Sequence, residues 1–124
     1  MFRILIIDDD LETRLMLRET LEAGGYEVEE AGNGIEGLNL YRRRPFHLII
    51  TDVFMPEKSG LEVIRELRRG TRMLPIIAMS GGGQLRSKEA LPSARELGAS
   101  EILYKPFTRD EILRAVESAL QRLR

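Results

Sequence analysis

Short apolar runs alternate along the chain with longer stretches in which apolar and polar positions recur at helical spacing. Three of the short runs, from Arg3 to Ile7, from His47 to Thr51 and from Leu74 to Ser80, are largely apolar. This composition is typical of strands in a parallel sheet, because helices cover both faces of such a sheet. The pattern therefore predicts three central, buried strands.

Two further runs predict the edges of the same sheet. Between Tyr26 and Ala31 the apolar Val28 stands among three glutamates, and this half-polar composition suits a less deeply covered edge strand. The run from Glu101 to Tyr104 is predicted to be the opposite edge.

Five amphipathic stretches predict the helices that connect these strands. The last of them is the clearest, because Thr108 and Glu111 form a capping box and Ile112 and Val116 repeat on one face. Alternating strands and helices indicate the α/β class, with a doubly wound parallel sheet covered on both faces. The predicted helices run from about Leu11 to Ala23, Gly34 to Arg44, Ser59 to Arg69, Leu91 to Leu97 and Thr108 to Leu123.

Length and composition narrow the classes of function. A chain of 124 residues is the size of one domain, so we expect a single domain over residues 1–124. The net charge of −1 gives no electrostatic footprint for nucleic acid or a membrane surface. The chain contains no cysteine, which excludes a disulfide scaffold and a thiolate site, and it has no long apolar run. We expect a soluble cytoplasmic protein without a nucleic-acid or membrane partner.

Polar side chains stand where the predicted strands end. Asp8 and Asp9 close the first strand, Asp52 the third and Ser80 the fourth, and Lys105 follows the fifth. The carboxyl ends of parallel strands meet at one edge of a sheet, beside the point where the strand order reverses. We therefore expect these five residues to face one crevice.

Three carboxylates in one crevice need a positive partner. Each pair of charges about 4 Å apart repels by roughly 4 kcal/mol at an effective dielectric of 20. Oxygen donors without imidazole or thiolate suit a hard cation, and Mg²⁺ is the better match because it also binds phosphates. With Lys105 and Ser80 beside it, Asp52 is predicted to be the nucleophile of a phosphoryl transfer. For Asp9 or Asp10 alone, a simple helix-capping role is the alternative.

The motifs ILIIDDD, LIITDVFMP, IIAMSG and LYKPF, in this order and spacing, resemble the receiver domain of bacterial response regulators over essentially the whole chain. The resemblance implies a flavodoxin-like fold with strand order 2-1-3-4-5 and five helices. It makes Asp52 the phosphoacceptor, and Asp8, Asp9, Asp52 and the backbone carbonyl of Phe54 the magnesium ligands. It assigns phosphate contact and switching to Ser80, Gly81 and Lys105, and it implies a cis bond before Pro106.

The family's switch face departs from its usual pattern here. The position three before Lys105, commonly aromatic in the family, holds Ile102. Tyr104 lies two residues on and by strand parity shares a side with Ile102, so it either substitutes for that aromatic residue or simply packs there. The side chain two places after the phosphoacceptor is Phe54, which cannot orient a water molecule, so we expect a long-lived phosphoryl group.

The resemblance also implies partners. The phosphodonor is expected to be a sensor histidine kinase or a histidine phosphotransfer protein. No effector domain follows Leu123 in this sequence, so the expected output is an unknown downstream protein bound by the switch face, unless the sequence is a piece of a longer chain. The sequence leaves open a phosphorylation-dependent dimer. The protein is not expected to be an enzyme beyond catalysing its own phosphorylation and dephosphorylation.

Other classes fit the sequence less well. A GxGxxG pattern from Gly32 to Gly37 resembles a dinucleotide-binding motif, but the strand before it is an edge and not a central apolar strand. An aspartate-dependent phosphohydrolase needs an acid two residues after its nucleophile, where Phe54 stands. A receiver fold that acts as an unphosphorylated interaction module remains the alternative. The arginines at Arg42 to Arg44 and Arg68 to Arg69 are interpreted as solvated residues at helix ends.

Overall fold

The computed structural model describes residues 1–55, 58–80 and 93–121, and in it five parallel strands form one sheet in the order β2-β1-β3-β4-β5. Both the α/β class and the strand order predicted from the sequence are confirmed. The strands are β1 (Arg3–Ile7), β2 (Glu27–Ala31), β3 (Leu48–Asp52), β4 (Ile76–Ser80) and β5 (Glu101–Tyr104).

Helices connect the strands and cover both faces of the sheet. Their residues are α1 (Leu11–Ala23), α2 (Gly34–Arg43), α3 (Gly60–Gly70), the described part of α4 (93–97) and α5 (Arg109–Gln121). Side chains of β1 point alternately to the two faces: Leu5 and Ile7 pack with residues of α2, α3 and α4, whereas Ile4 and Ile6 pack with residues of α1 and α5. Along the described residues no helix combines the length and apolar character that crossing a membrane would require.

Some predicted element ends were wrong by one or two residues. The strand predicted from His47 begins at Leu48, and the one predicted from Leu74 begins at Ile76 after Pro75, which has no N–H to give to the ladder. Ser59 was predicted as a helical residue but caps α3 from outside, whereas Thr108 and Glu111 form the predicted capping box at the start of α5. The predicted start of the fourth helix at Leu91 lies outside the described residues, as does the segment from Gly81 to Ser87, whose three consecutive glycines predict a loop.

Arg68 corrects the interpretation of the arginines as solvated residues. Its guanidinium donates hydrogen bonds to the carbonyl oxygens of Gly98 and Leu74, at 2.6 Å in each case, and it is only partly exposed. Arg68 therefore links the end of α3 to the segments that precede β4 and β5. These segments lie at the amino ends of the strands, whereas the acidic crevice lies at their carboxyl ends.

Candidate functional site

Three aspartates meet at the carboxyl edge of the sheet. Asp8 and Asp9 follow β1 and Asp52 ends β3, and these two strands are neighbours in the sheet. Each carboxylate places an oxygen within 4.8 Å of the others. Asp8 and Asp52 are buried, whereas Asp9 is exposed, so the cluster opens to solvent on one side. The convergence predicted from the sequence is present.

Lys105 reaches this cluster from the end of β5. Its Nζ lies 2.8 Å from Oδ2 of Asp8 and 3.5 Å from Oδ2 of Asp52, so the ammonium group bridges the two buried carboxylates. The other oxygen of Asp8 accepts a hydrogen bond of 2.9 Å from the N–H of Asp10. The lysine thus lies nearer to Asp8 than to Asp52.

The surroundings of Asp52 disfavour its negative charge. Burial, and next the negative charge of Asp8, raise the pKa of Asp52 to about 6, although Lys105 and the N–H of Phe54 act in the opposite direction. Burial by itself lowers the pKa of Lys105, but the hydrogen bond to Asp8 and the charges of Asp52 and Asp8 outweigh it, so the pKa lies above its usual value. A neutral carboxyl at Asp52 and a charged lysine follow at mildly acid pH.

Gly60 packs directly against the backbone of Asp52, and this contact was not predicted from the sequence. A Cβ at Gly60 would collide with the backbone carbonyl of Asp52, and the Gly60 N–H donates to the Val53 carbonyl at 2.9 Å. The capping box of Ser59 and Glu62 starts α3 at this point. A glycine at the first position of a helix, where better helix formers are available, was the signal for this close approach.

Ser80 lies at the same edge, at the end of β4, and is buried. Its carbonyl accepts a hydrogen bond of 2.8 Å from the Lys105 N–H, so the ends of β4 and β5 are tied together. In the register of these strands Ser80 lies opposite Tyr104, and Ala78 lies opposite Ile102.

The two switch-face residues differ in environment. Ile102 packs against the hydrophobic cluster on the α2, α3 and α4 face, whereas Tyr104 is 56% exposed. The Lys105–Pro106 peptide bond is cis, as the resemblance implies. The remaining predicted site residue, Gly81, lies outside the described residues.

The donor set fits a hard divalent cation. The described cluster offers only carboxylate oxygens, and the N–H of Phe54 lies 3.4 Å from Oδ1 of Asp52, which places the Phe54 backbone beside it. Mg²⁺ prefers such oxygen ligands and keeps several of its waters, which the exposed side at Asp9 permits.

An open cleft of about 480 Å³ adjoins the lysine side of the cluster. Its walls come from the start of α1 and from the residues after β5, and they include Thr13, Lys105 and Phe107. The cleft therefore gives access to Lys105 between the start of α1 and the residues after β5.

Comparisons with known proteins agree with this geometry. The family model described as the response regulator receiver domain matches residues 4–117. Response regulator MprA of Mycobacterium sp. (strain KMS) is 37% identical over 97% of this chain and 51% of its own length. The probable transcriptional regulatory protein SilR of Salmonella typhimurium is 32% identical with the same coverage. The chain thus spans about half the length of the curated relatives it matches.

Solved structures give the same result at full length. A response regulator receiver domain protein from Clostridium thermocellum superposes with a TM-score of 0.88 and 32% identity, covering 99% of this chain and 97% of its own. Chemotaxis protein CheY4 of Vibrio cholerae superposes with a TM-score of 0.86 and 31% identity, covering 97% of this chain and 99% of its own. The chain therefore belongs to the response regulator receiver domains, the phosphoacceptor signalling domains of two-component systems.

Proposed function

We propose that Asp52 accepts a phosphoryl group from a phosphohistidine on a sensor histidine kinase or a histidine phosphotransfer protein. The observation that carries this proposal is the convergence of Asp8, Asp9 and Lys105 on the buried carboxylate of Asp52. Phosphoryl transfer requires mainly positioning and neutralisation of charge, and these residues supply both.

The transfer exchanges one bond to phosphorus for another. An oxygen of the Asp52 carboxylate attacks phosphorus, the phosphorus–nitrogen bond breaks, and the imidazole nitrogen leaves with its electron pair. In the reacting phosphohistidine the ring nitrogen that is not bonded to phosphorus carries a proton, so the products are an acyl phosphate on Asp52 and a neutral histidine on the donor.

The residues around Asp52 have separate roles in this reaction. Asp8, Asp9, Asp52 and the Phe54 carbonyl would hold Mg²⁺, which neutralises charge on the phosphoryl oxygens when bound. Lys105, already 3.5 Å from Asp52, is placed to donate to a phosphoryl oxygen. Asp52 must be ionised to attack; its pKa of about 6 in the metal-free protein opposes ionisation, and a cation bound beside it would favour the ionised form.

Phosphorylation alters the binding of a downstream protein through β4 and β5. Ser80 ends β4 and supplies a hydroxyl to the phosphoryl group, for which Gly81 is a further proposed contact, and Ile102 and Tyr104 lie across from β4 on β5. A phosphorylation-dependent dimer is the alternative output.

Beyond its own phosphorylation and dephosphorylation the chain catalyses no reaction, and it acts in the cytoplasm.

The test uses acetyl phosphate as a small phosphodonor. Wild-type protein is incubated with the donor, with Mg²⁺ or with a chelator, and its intact mass is measured. We expect one phosphoryl adduct that requires Mg²⁺ and that Asp52→Asn abolishes. The matched control is Asp10→Asn, which changes an exposed acid two residues from Asp8 and keeps an N-capping side chain, and it should be phosphorylated like wild type. Absence of a Mg²⁺-dependent adduct on wild type would overturn the proposal.

A further inference from the structure

Arg14 contacts the backbone of the acidic turn that carries Asp8 and Asp9. The side chain comes from the first turn of α1, and its Nη1 donates a hydrogen bond of 2.6 Å to the backbone carbonyl of Asp8. Its Nε lies 3.1 Å from Oε1 of Glu30 on β2. Both side chains are largely covered, with 17% of Arg14 and 20% of Glu30 exposed. A planar guanidinium can make both contacts at once, because its donors form a rigid fork.

The Asp8 carbonyl belongs to the peptide group that joins Asp8 to Asp9. The N–H of Asp8 is also held, by the carbonyl of Ala31 at 3.1 Å, so β2 fixes one side of this residue and Arg14 fixes the other. Within the described residues no hydrogen bond orients the exposed carboxylate of Asp9. The direction of that carboxylate therefore depends on the backbone that Arg14 holds.

We propose that Arg14, aimed by Glu30, is a positioning residue that sets the Asp8–Asp9 peptide so that both carboxylates face the cation. This inference rests on the proposed function, because it assigns these two aspartates to Mg²⁺. Groups behind the ligands of a metal fix ligand orientation, and their loss typically weakens metal binding by about 10-fold or more.

Simple electrostatics makes the opposite prediction. Arg14 carries a positive charge near a cation site, so its removal alone would strengthen Mg²⁺ binding by reducing repulsion. A positioning role requires that removal weaken binding. The sign of the change therefore distinguishes the two effects.

Arg18 provides a matched control on the same helix. Its Nε pairs with the other oxygen of Glu30 at 2.9 Å, and its Nη2 donates to the carbonyl of Val28 at 2.8 Å. It thus has the same charge and the same acidic partner, but it contacts the middle of β2 and not the acidic turn.

The experiment measures Mg²⁺ affinity by calorimetry for wild type, Arg14→Met and Arg18→Met, each shown to be folded by circular dichroism. We expect the dissociation constant to rise by about 10-fold for Arg14→Met and to stay within about twofold of wild type for Arg18→Met. Glu30→Gln, which keeps both arginines, is the second variant and should also weaken binding. Equal or tighter binding by Arg14→Met, or the same loss in Arg18→Met, would overturn the inference.

A second readout needs no metal. The N–H of Asp10 donates to Oδ1 of Asp8 at 2.9 Å, so its hydrogen exchange reports whether the turn is held. Exchange at Asp10 should accelerate in Arg14→Met and not in Arg18→Met, and unchanged exchange in both variants contradicts the positioning role. If wild type itself does not bind Mg²⁺, the proposed function fails, whereas normal wild-type binding that Arg14→Met leaves intact contradicts only the role of Arg14.

Discussion

The buried surroundings of Asp52 favour its protonated form, whereas its proposed reaction requires the ionised form. Its pKa of about 6 exceeds the ordinary aspartate value because burial and Asp8 oppose the charge. In the folded protein without metal, protonation of Asp52 is therefore easier than in the unfolded chain. The contribution of this group to stability is present below the unfolded pKa near 3.8 and is lost as the pH rises through about 6.

Replacing Asp52 by Asn should therefore stabilise the metal-free protein. We expect a gain of about 2 to 3 kcal/mol in the free energy of unfolding at pH 7.5, falling to about 1 kcal/mol at pH 4.5. The measurement is urea unfolding in the presence of a chelator at both pH values. Asp10→Asn is the control, because a hydrogen bond from Thr13 lowers the pKa of Asp10 and its removal brings no such gain. A variant Asp52→Asn no more stable than wild type at pH 7.5 contradicts the raised pKa.

Phe54, two residues after Asp52, is expected to affect how long the phosphoryl group persists on Asp52. Its side chain packs against the hydrophobic cluster on the α2, α3 and α4 face and offers no group that could orient a water molecule. We expect Phe54→Asn to accelerate hydrolysis of the acyl phosphate, on the order of 10-fold, because an amide can hold the attacking water. Phe54→Leu is the apolar control and should keep the slow rate. Loss of the adduct over time, followed by intact mass, is the measurement, and equal rates in the two variants contradict the expectation.

At the scale of elements, the start of α3 determines where Asp52 lies. The helix begins at Gly60 directly against the Asp52 carbonyl, in a place where any side chain must displace backbone. The contact couples the end of β3 to the helix that covers it, and the capping box of Ser59 and Glu62 fixes the entry of the chain.

Gly60→Ala should therefore be destabilising and should disturb the site. We expect a loss of about 1 to 3 kcal/mol in the free energy of unfolding, together with weaker Mg²⁺ binding, because the added methyl group must push the end of β3 or α3 aside. Gly70→Ala, at the other end of the same helix, has open space around the new Cβ and is the matched control. Thermal unfolding and calorimetry are the measurements. Equal effects of the two substitutions would show that the close approach at Gly60 has no consequence.

The strands and helices could be predicted from the sequence because the continuous apolar runs of the strands and the helical spacing of apolar residues between them were clear. The apolar run at β1 has five buried residues, and the glutamates of β2 correctly identified an edge strand. The close contact of Gly60 with Asp52 and the bonds of Arg68 and Arg14 to backbone carbonyls could not be predicted in this way. They are long-range contacts that depend on how elements pack, and of the three only the glycine at the start of α3 leaves a local sign in the sequence.

At the scale of the whole molecule, the sheet connects the acidic cluster to an exposed face. Lys105 joins β5 to Asp8 and Asp52 through its side chain, and to Ser80 through its backbone N–H. Tyr104, the register partner of Ser80, is exposed to solvent on the adjacent strand. An event at Asp52 therefore has a short path, through Ser80 and across one strand, to a surface that a partner can contact.

Removing the Ser80 hydroxyl should separate phosphorylation from this output. In Ser80→Ala we expect the Mg²⁺-dependent adduct on Asp52 to form, because the carboxylates and Lys105 remain, while the chemical-shift changes that phosphorylation causes along β5 and α5 shrink. Ser80→Thr keeps a hydroxyl and should retain those changes. Ser118→Ala removes a hydroxyl that donates to Glu101 at 2.7 Å on the outside of β5, so it tests whether any loss of a hydroxyl near β5 has the same effect.

Amide spectra of the phosphorylated and unphosphorylated forms provide the measurement, with intact mass to confirm the extent of phosphorylation. Full shift changes in Ser80→Ala would mean that the phosphoryl group acts on β5 through Lys105 alone. That outcome is physically reasonable, since Lys105 already contacts both buried carboxylates and lies next to Tyr104. Loss of the changes in Ser80→Ala, with retention in Ser80→Thr and Ser118→Ala, would instead show that the signal requires a hydroxyl at the end of β4, beside the end of β3 that carries Asp52.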